Sequence, residues 1–447
     1  MHKKVLIYFT VLYFSVLSFG AGKSIPPNPE HVPTRIILGW TGDPAHTQAV
    51  TWRTLKPVAS PQAQVAIASP NADFRSSAIS IEAESASLDP TGGAKHYRAV
   101  FKGLEPDTHY TYRVGDGETW SEWIDFRTAG DRPQAFRFLY IGDAQNNIKS
   151  LWSRSIRAAY AAAPDARFII QAGDILAEGY DDNLWDEWCY GMGFIAATVP
   201  SLPVPGNHDL HRNPGSLNSN QVLSVSPLWN AHFSVPSNGP GVPLDHQSYY
   251  FDYQGVRFIF IDVDVFANED FESDWKDCVA EMQLRWLETT LKNNTNMWTI
   301  VVQHQPIFAV AKDRNYAGMR AALEPLYDKY HVDLVLEGHD HCYARSHKIS
   351  AGREVQDSEP GVVYAISVSG PKMYTINQRF QSLMAKTQMN TQMYQIISID
   401  KNVLDFRAFA IDGTLVDQFR LSGPNGARIL ETPEKEISPN NFLLPQP

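Results

Sequence analysis

The sequence predicts two units in tandem: an all-β sandwich over residues 30–130, then a larger α/β unit over residues 134–425. Three observations predict this. From about Arg35 to Arg127 apolar residues alternate with period two between turn signals. From Phe136 onward, short apolar runs alternate with stretches of helical spacing. Five of those later runs close on Asp, Asn-His, His or His-Asp-His, usually after a glycine.

In chain order, Lys3 and Lys4 precede an apolar stretch from Val5 to Phe19 and the small residues Gly20, Ala21 and Gly22. The stretch is shorter than the roughly 20 residues that span a bilayer, so residues 1–22 read as a cleaved export signal rather than an anchor. The mature protein is then expected to be periplasmic, secreted or on the cell surface, with no transmembrane segment. In "AVTWRT" Val50 and Trp52 share a face; in "HYTYRVGDG" Tyr110, Tyr112 and Val114 do the same before the turn at Gly115-Asp116-Gly117. This first unit resembles a fibronectin type III or immunoglobulin-like sandwich, with Tyr110 as candidate corner tyrosine. "TAGDRPQ", residues 128–134, is a linker.

"FRFLYIGDAQ" is a strand ending at Asp143, and "SLWSRSIRAAYAAAP" carries Trp152, Ile156, Ala159 and Ala163 at helical spacing before Pro164. "RFIIQAGD" is a second strand ending at Asp174. A β-α-β crossover makes these strands parallel, so both carboxylates emerge at one carboxyl edge. "VPSLPVPGNHD", "TIVVQHQP" and "VDLVLEGHDH" end in the same manner; between them lie a hairpin, "HQSYYFDYQGVRFIFIDVD", and a helix, "EMQLRWLETTLKNN". Residues 426–447 read as a tail. In "GHDH", read as extended, His339 and His341 face one side and Asp340 the other.

The edge therefore gathers Asp143, Asp174, Asn207, His208, His304, His339 and His341. Singly each is weak: Gly-Asp occurs at 42, 115, 130, 142 and 173, and one histidine at a strand end is usually structural. Together they form a mixed oxygen and nitrogen set suited to Zn, Mn or Fe and large enough for two ions. With 38 Lys+Arg against 49 Asp+Glu and a net charge of −11, the chain offers no basic field for duplex nucleic acid.

The series "GDAQ", "GDILA", "GNHD", "VVQH" and "GHDH" resembles the calcineurin-like metallophosphoesterases, and a β-sandwich ahead of it makes the purple acid phosphatases and their bacterial kin the nearest likeness. The resemblance implies a four-layer β-sandwich flanked by helices and a dinuclear centre. It makes Asp174 the carboxylate bridging two ions, with Asp143 and His341 on the first and Asn207, His304 and His339 on the second. His208 would face the phosphoryl group of a small phosphorylated substrate. Two such ions lower the pKa of a bound water and clamp phosphoryl oxygens for in-line displacement, and His208 would then stabilise the transition state or protonate the leaving oxygen.

The chain departs from the family at two points. Purple acid phosphatases carry a tyrosine three residues after the bridging aspartate, and other branches an aspartate that orients the catalytic histidine; here Ala177 supplies neither side chain, and Tyr180 is out of register. Ferric iron is thereby less favoured than Zn or Mn, and the protein is expected to be colourless. Where many members have a ligating histidine, this chain has Gln145, a candidate contact to the metal or its water.

The implied function is an exported phosphomonoesterase. A phosphodiesterase on nucleotide or lipid headgroup esters, and a non-catalytic surface protein with a vestigial site, are the alternatives. Asp209, His211 and Arg212 read equally well as a solvated loop, Trp185 and Trp188 as a buried helix face, and Arg345 as a loop anchor. Of Cys189, Cys278 and Cys342, the first two are the expected disulfide pair, if one forms.

Overall fold

The computed structural model describes residues 28–85, 93–211, 224–267 and 273–433. The export-signal stretch, Arg212 and the tail beyond Pro433 lie outside them.

The first unit is a sandwich of two four-stranded antiparallel sheets. One contains Thr34–Gly39, Thr47–Thr54, Lys95–Lys102 and Glu84–Ser85; the other contains Ile79–Glu82, Gln62–Ile67, His109–Gly115 and Ile124–Arg127. Val50, Trp52, Tyr110, Tyr112 and Val114 meet in its core with Leu38, Phe101 and Phe126. Tyr110 Oη accepts the Glu105 amide at 2.8 Å, the corner contact expected of it.

The alternate residues of strand Thr47–Thr54 are also buried, which alternation does not anticipate. The second unit covers that face. Thr51 Oγ1 donates to His232 O at 2.6 Å, Arg53 pairs with Asp182 at 3.1 Å, and the buried Arg35 guanidinium pairs with Asp182 at 2.6 Å and Asp186 at 2.7 Å.

The second unit is built on two seven-stranded mixed sheets. In the first, Ser201–Val204, Ile169–Ala172 and Phe136–Ile141 run parallel, continued antiparallel by Met393–Asp400, Val403–Ala410, Leu415–Ser422 and Ile429–Glu431. In the second, Val256–Phe260, Trp298–Val302, Leu334–Glu337 and Val363–Ile366 are parallel; Tyr249–Tyr253, Tyr343–Ser346 and Met384–Gln388 pair antiparallel.

Period-two alternation sorts the side chains into layers. Phe258, Phe260, Ile300, Val302, Leu334 and Leu336 face Phe138, Ile170 and Leu202 across the inter-sheet core. Ile259, Val301 and Val335 point outward, onto Leu287 and Leu291 of helix Ser273–Lys292 and Leu323 and Tyr327 of helix Ala317–Lys329. On the opposite side Ile156 and Ala159 of helix Ser153–Ala162, with Trp185 and Trp188 of helix Asp182–Met192, cover the first sheet. The layers are helix, sheet, sheet, helix.

The three cysteines are free thiols. The expected bridge does not form: Cys189 sits half-buried in helix Asp182–Met192, whereas Cys278 is exposed on helix Ser273–Lys292.

Candidate metal centre

The candidate residues lie where the carboxyl ends of both sheets meet. Asp143, Asp174 and Asn207 follow strands of the first sheet, and His304, His339 and His341 follow strands of the second. The site thus spans two sheets, not the edge of one.

Each approach is a tight turn. Asp143, Asp174, His339 and His341 have φ of 54°, 50°, 72° and 48°, left-handed values that are uncommon for residues with a side chain and that recur at functional sites. The extended reading of "GHDH" is therefore corrected: the strand ends at Glu337, and two left-handed residues, not a pleat, turn both imidazoles to the site. Gly173 (φ 80°) and Gly206 allow close approach, since a methyl at 173 would strike the His304 ring and one at 206 the Asp174 carboxylate.

Two groups of ligand atoms result, Asp174 with His304 and His339, and Asp143 with Asp174 and His341, all atoms of a group lying within 4.8 Å of one another. Asp174 belongs to both. His304 donates from Nδ1 to Ala172 O at 2.7 Å, leaving Nε2 at 3.2 Å from Asp174 Oδ1. His341 donates from Nδ1 to Lys372 O at 3.1 Å, leaving Nε2 at 3.7 Å from Asp143 Oδ1. His339 has Nε2 at 2.5 Å from Tyr316 Oη and Nδ1 at 3.1 Å from His304 Nε2. A backbone carbonyl or phenol thus fixes the outer nitrogen of each ring and aims the other inward.

Burial raises the Asp174 carboxyl, but the charge and hydrogen bond of His304 together with the other histidines around it outweigh that and hold Asp174 well below the usual carboxylate range. Asp143 is pushed up to about 8 by burial, eased by His304 and reinforced by the Asp174 charge. His304, lowered by burial but raised more by Asp174, stands at about 10. Burial and the His304 charge hold His339 well below the ordinary histidine value; burial and the Lys372 charge bring His341 to about 3.

The donor set fits two ions. Asn207 Oδ1 and Gln145 Oε1 are buried acceptors without a partner among the described residues. The Gln145 amide nitrogen touches Asp174 Oδ2 and lies 3.4 Å from His341 Nε2; half a turn of the amide presents the unpartnered oxygen to the same two groups.

His208 donates its backbone amide to Asp174 Oδ1 at 2.9 Å, and its Nδ1 donates to Ala177 O at 2.9 Å. The expectation that position 177 cannot orient the histidine is corrected. Its methyl cannot, but its main-chain carbonyl does. Asp209 is likewise no solvated loop residue: 1% exposed, it accepts amides of Ile175 and Gly206 at 3.1 and 3.0 Å and so ties two site loops together. Asp340 accepts the Ala311 amide at 2.8 Å and pairs with Arg314 at 2.9 Å, a structural role. Arg345 is buried against Asp417 at 2.7 Å.

Arg314, Tyr316, Lys372 and Tyr374 complete the surroundings and were missed. Arg314 and Tyr316, in "AKDRNY", carry the single signal of following the candidate ligand His304 within one loop; Lys372 and Tyr374, in "GPKMY", follow a strand whose loop holds no candidate ligand.

A profile described as the purple acid phosphatase N-terminal domain matches residues 33–128, and one described as calcineurin-like phosphoesterase matches residues 136–343. The chain belongs to the calcineurin-like metallophosphoesterases, in their purple acid phosphatase-like branch. This metallophosphoesterase is 26% identical over 323 residues to an uncharacterized protein of Mycobacterium tuberculosis, a match covering 67% of this chain and 59% of the relative. It is also 26% identical over 362 residues to acid phosphatase type 7 of Mus musculus, covering 75% of this chain and 76% of the relative. The matched part thus spans less than two thirds of the mycobacterial relative's length.

A purple acid phosphatase from yellow lupin (Lupinus luteus) seeds superposes with a TM-score of 0.70 at 18% identity, covering 88% of this chain and 74% of that one. PhoD superposes with 0.64 at 13%, covering 92% and 94%. At such identities the likeness is one of fold.

Proposed function

We propose that this metallophosphoesterase is an exported, dinuclear metal-dependent hydrolase of phosphomonoesters. The observation that carries the reading is that Asp174 belongs to both ligand groups, so one carboxylate can serve two ions. Asp143, Asp174 and His341, with the Gln145 amide oxygen, would hold the first; Asp174, Asn207, His304 and His339 would hold the second. Zn or Mn suits this oxygen and imidazole set, and ferric iron is less favoured because Ala177 brings no phenolate. Bound there, two ions supply the Lewis acidity that activates water near neutral pH and offsets phosphoryl charge.

The protein's own groups do the rest. The carbonyls of Ala172 and Lys372 and the phenol of Tyr316 keep the imidazoles aimed at the ions. His208, held at Nδ1 by the Ala177 carbonyl, has Nε2 left to protonate the leaving oxygen. Relatives named as acid phosphatases support the monoester reading. Export rests on the apolar run after Lys3 and Lys4; among the described residues no helix is long and apolar enough to cross a membrane.

The test is hydrolysis of p-nitrophenyl phosphate beside bis-p-nitrophenyl phosphate, with bound metal quantified. About two ions per chain and a clear preference for the monoester are expected. Preference for the diester overturns the substrate class, and metal-free protein without activity overturns the reading altogether.

A further inference from the structure

Beside the candidate centre stands a cation that the proposed mechanism does not use. Lys372 lies in the segment between strands Val363–Ile366 and Met384–Gln388, and its main chain is fixed to the site by the bond from His341 Nδ1 to its carbonyl, 3.1 Å. Two residues on, Tyr374 donates its amide to His341 O at 3.2 Å and sets its ring 4.8 Å from the His341 ring. The Lys372 ammonium lies 5.3 Å from the centre of that Tyr374 ring. It therefore shares one aromatic ring with a candidate ligand.

Arg314 flanks the same ring, its guanidinium carbon 5.0 Å from the centre, but its charge is matched by the buried Asp340 at 2.9 Å. The Lys372 ammonium has no carboxylate within ion-pair distance among the described residues, although the side chain is half-buried. A half-buried cation on a flexible stem, with a π face beneath it and no counter-ion, is prepared for an anion that arrives with a ligand. A phosphoryl group held by both ions would sit over Asp174, which both ligand groups share, and Lys372 is anchored on the His341 side of that centre.

We infer that Lys372 is a specificity-determining residue that pairs with a second anionic group, carried on the leaving-group part of the substrate. The substrate class is thereby narrowed to phosphomonoesters whose alcohol bears a carboxylate or a further phosphate. This rests on the phosphomonoesterase reading for its catalytic meaning, but the recognition can be measured without turnover.

The experiment uses two non-hydrolysable phosphonates that differ by one carboxylate, 3-phosphonopropionate and propylphosphonate, titrated calorimetrically into the metal-loaded full-length protein. The unmodified protein should bind the carboxylate-bearing compound about tenfold more tightly, the effect of one charge-assisted pair. Lys372→Ala should abolish that preference, and Lys372→Arg should restore most of it. Equal affinities in the unmodified protein, binding of neither compound, or a preference that survives Lys372→Ala overturns the assignment. Absence of p-nitrophenyl phosphate hydrolysis alongside an intact, Lys372-dependent preference would instead overturn the phosphomonoesterase reading and leave the anion site standing.

Discussion

His208 and Glu337 show how a single side chain takes its properties from the atoms around it. The His208 ring is steered by a main-chain carbonyl, so its orientation survives changes to the Ala177 side chain, while its removal takes away only a proton donor. His208→Ala is expected to lower turnover about 10²–10⁴-fold, with metal content, read by atomic absorption, unchanged. Loss of metal would make it a ligand instead. Glu337 closes the strand before Gly338 and is fully buried; its Oε1 accepts the Ile307 amide at 2.8 Å, but its Oε2 has no partner among the described residues. Burial raises its pKa well above the ordinary 4.5. The folded chain therefore keeps a proton that the unfolded chain releases. The stabilisation is full below about pH 4.5 and is lost as pH rises through the folded value. Glu337→Gln, which keeps the acceptor oxygen, should remove this slope. Urea unfolding at pH 4.5 and 7.5 is expected to show the variant gaining on the unmodified protein at the higher pH.

Among the elements, the turns after the strands set the geometry. Gly206 lets the Ser201–Val204 strand run into Asn207 and His208 with no side chain between its backbone and Asp174. Gly206→Ala should lower both thermal stability and bound metal, at a cost of about 1–3 kcal/mol for overpacking a rigid site. A variant with unchanged metal content and Tm would show that the turn yields.

The strand ends were legible because Gly-Asp, Gly-Asn-His and Gly-His-Asp-His groups close apolar runs that periodicity places, but the left-handed turn of "GHDH" was not, since the segment read as extended. What was illegible has a common cause. The Ala177 carbonyl carries no residue-type signal, since every residue has one. Arg314, Tyr316 and Lys372 reach the site from loops without period, and only tertiary folding shows that Lys372 and His341 touch. Asp209 looked like loop chemistry because the Ile175 amide it accepts comes from another loop. The burial of Thr51 and Arg53 depends on a second unit that the local pattern of strand Thr47–Thr54 does not encode.

For the molecule as a whole, the centre belongs to neither sheet. Asp143, Asp174 and Asn207 come from one and His304, His339 and His341 from the other, so ions held by both would fasten the two halves of the inter-sheet core. Stripping them with a chelator is expected to lower Tm reversibly. By mass action an ion present at about a thousand times its dissociation constant contributes about 4 kcal/mol. Differential scanning calorimetry before and after metal restoration checks this; an unchanged Tm would mean that the sheets hold together without the ions.

The seam between the sheets also has a consequence in time. The chain emerges from synthesis with Asp143 and Asp174 well ahead of His304 and His341, and a nascent chain that ends before His304 carries only the first sheet's half of the coordination shell. A polypeptide crossing a membrane unfolded would travel without its metals. The compartment in which the two sheets finally close, rather than the one in which translation occurs, would then decide which metal is taken up.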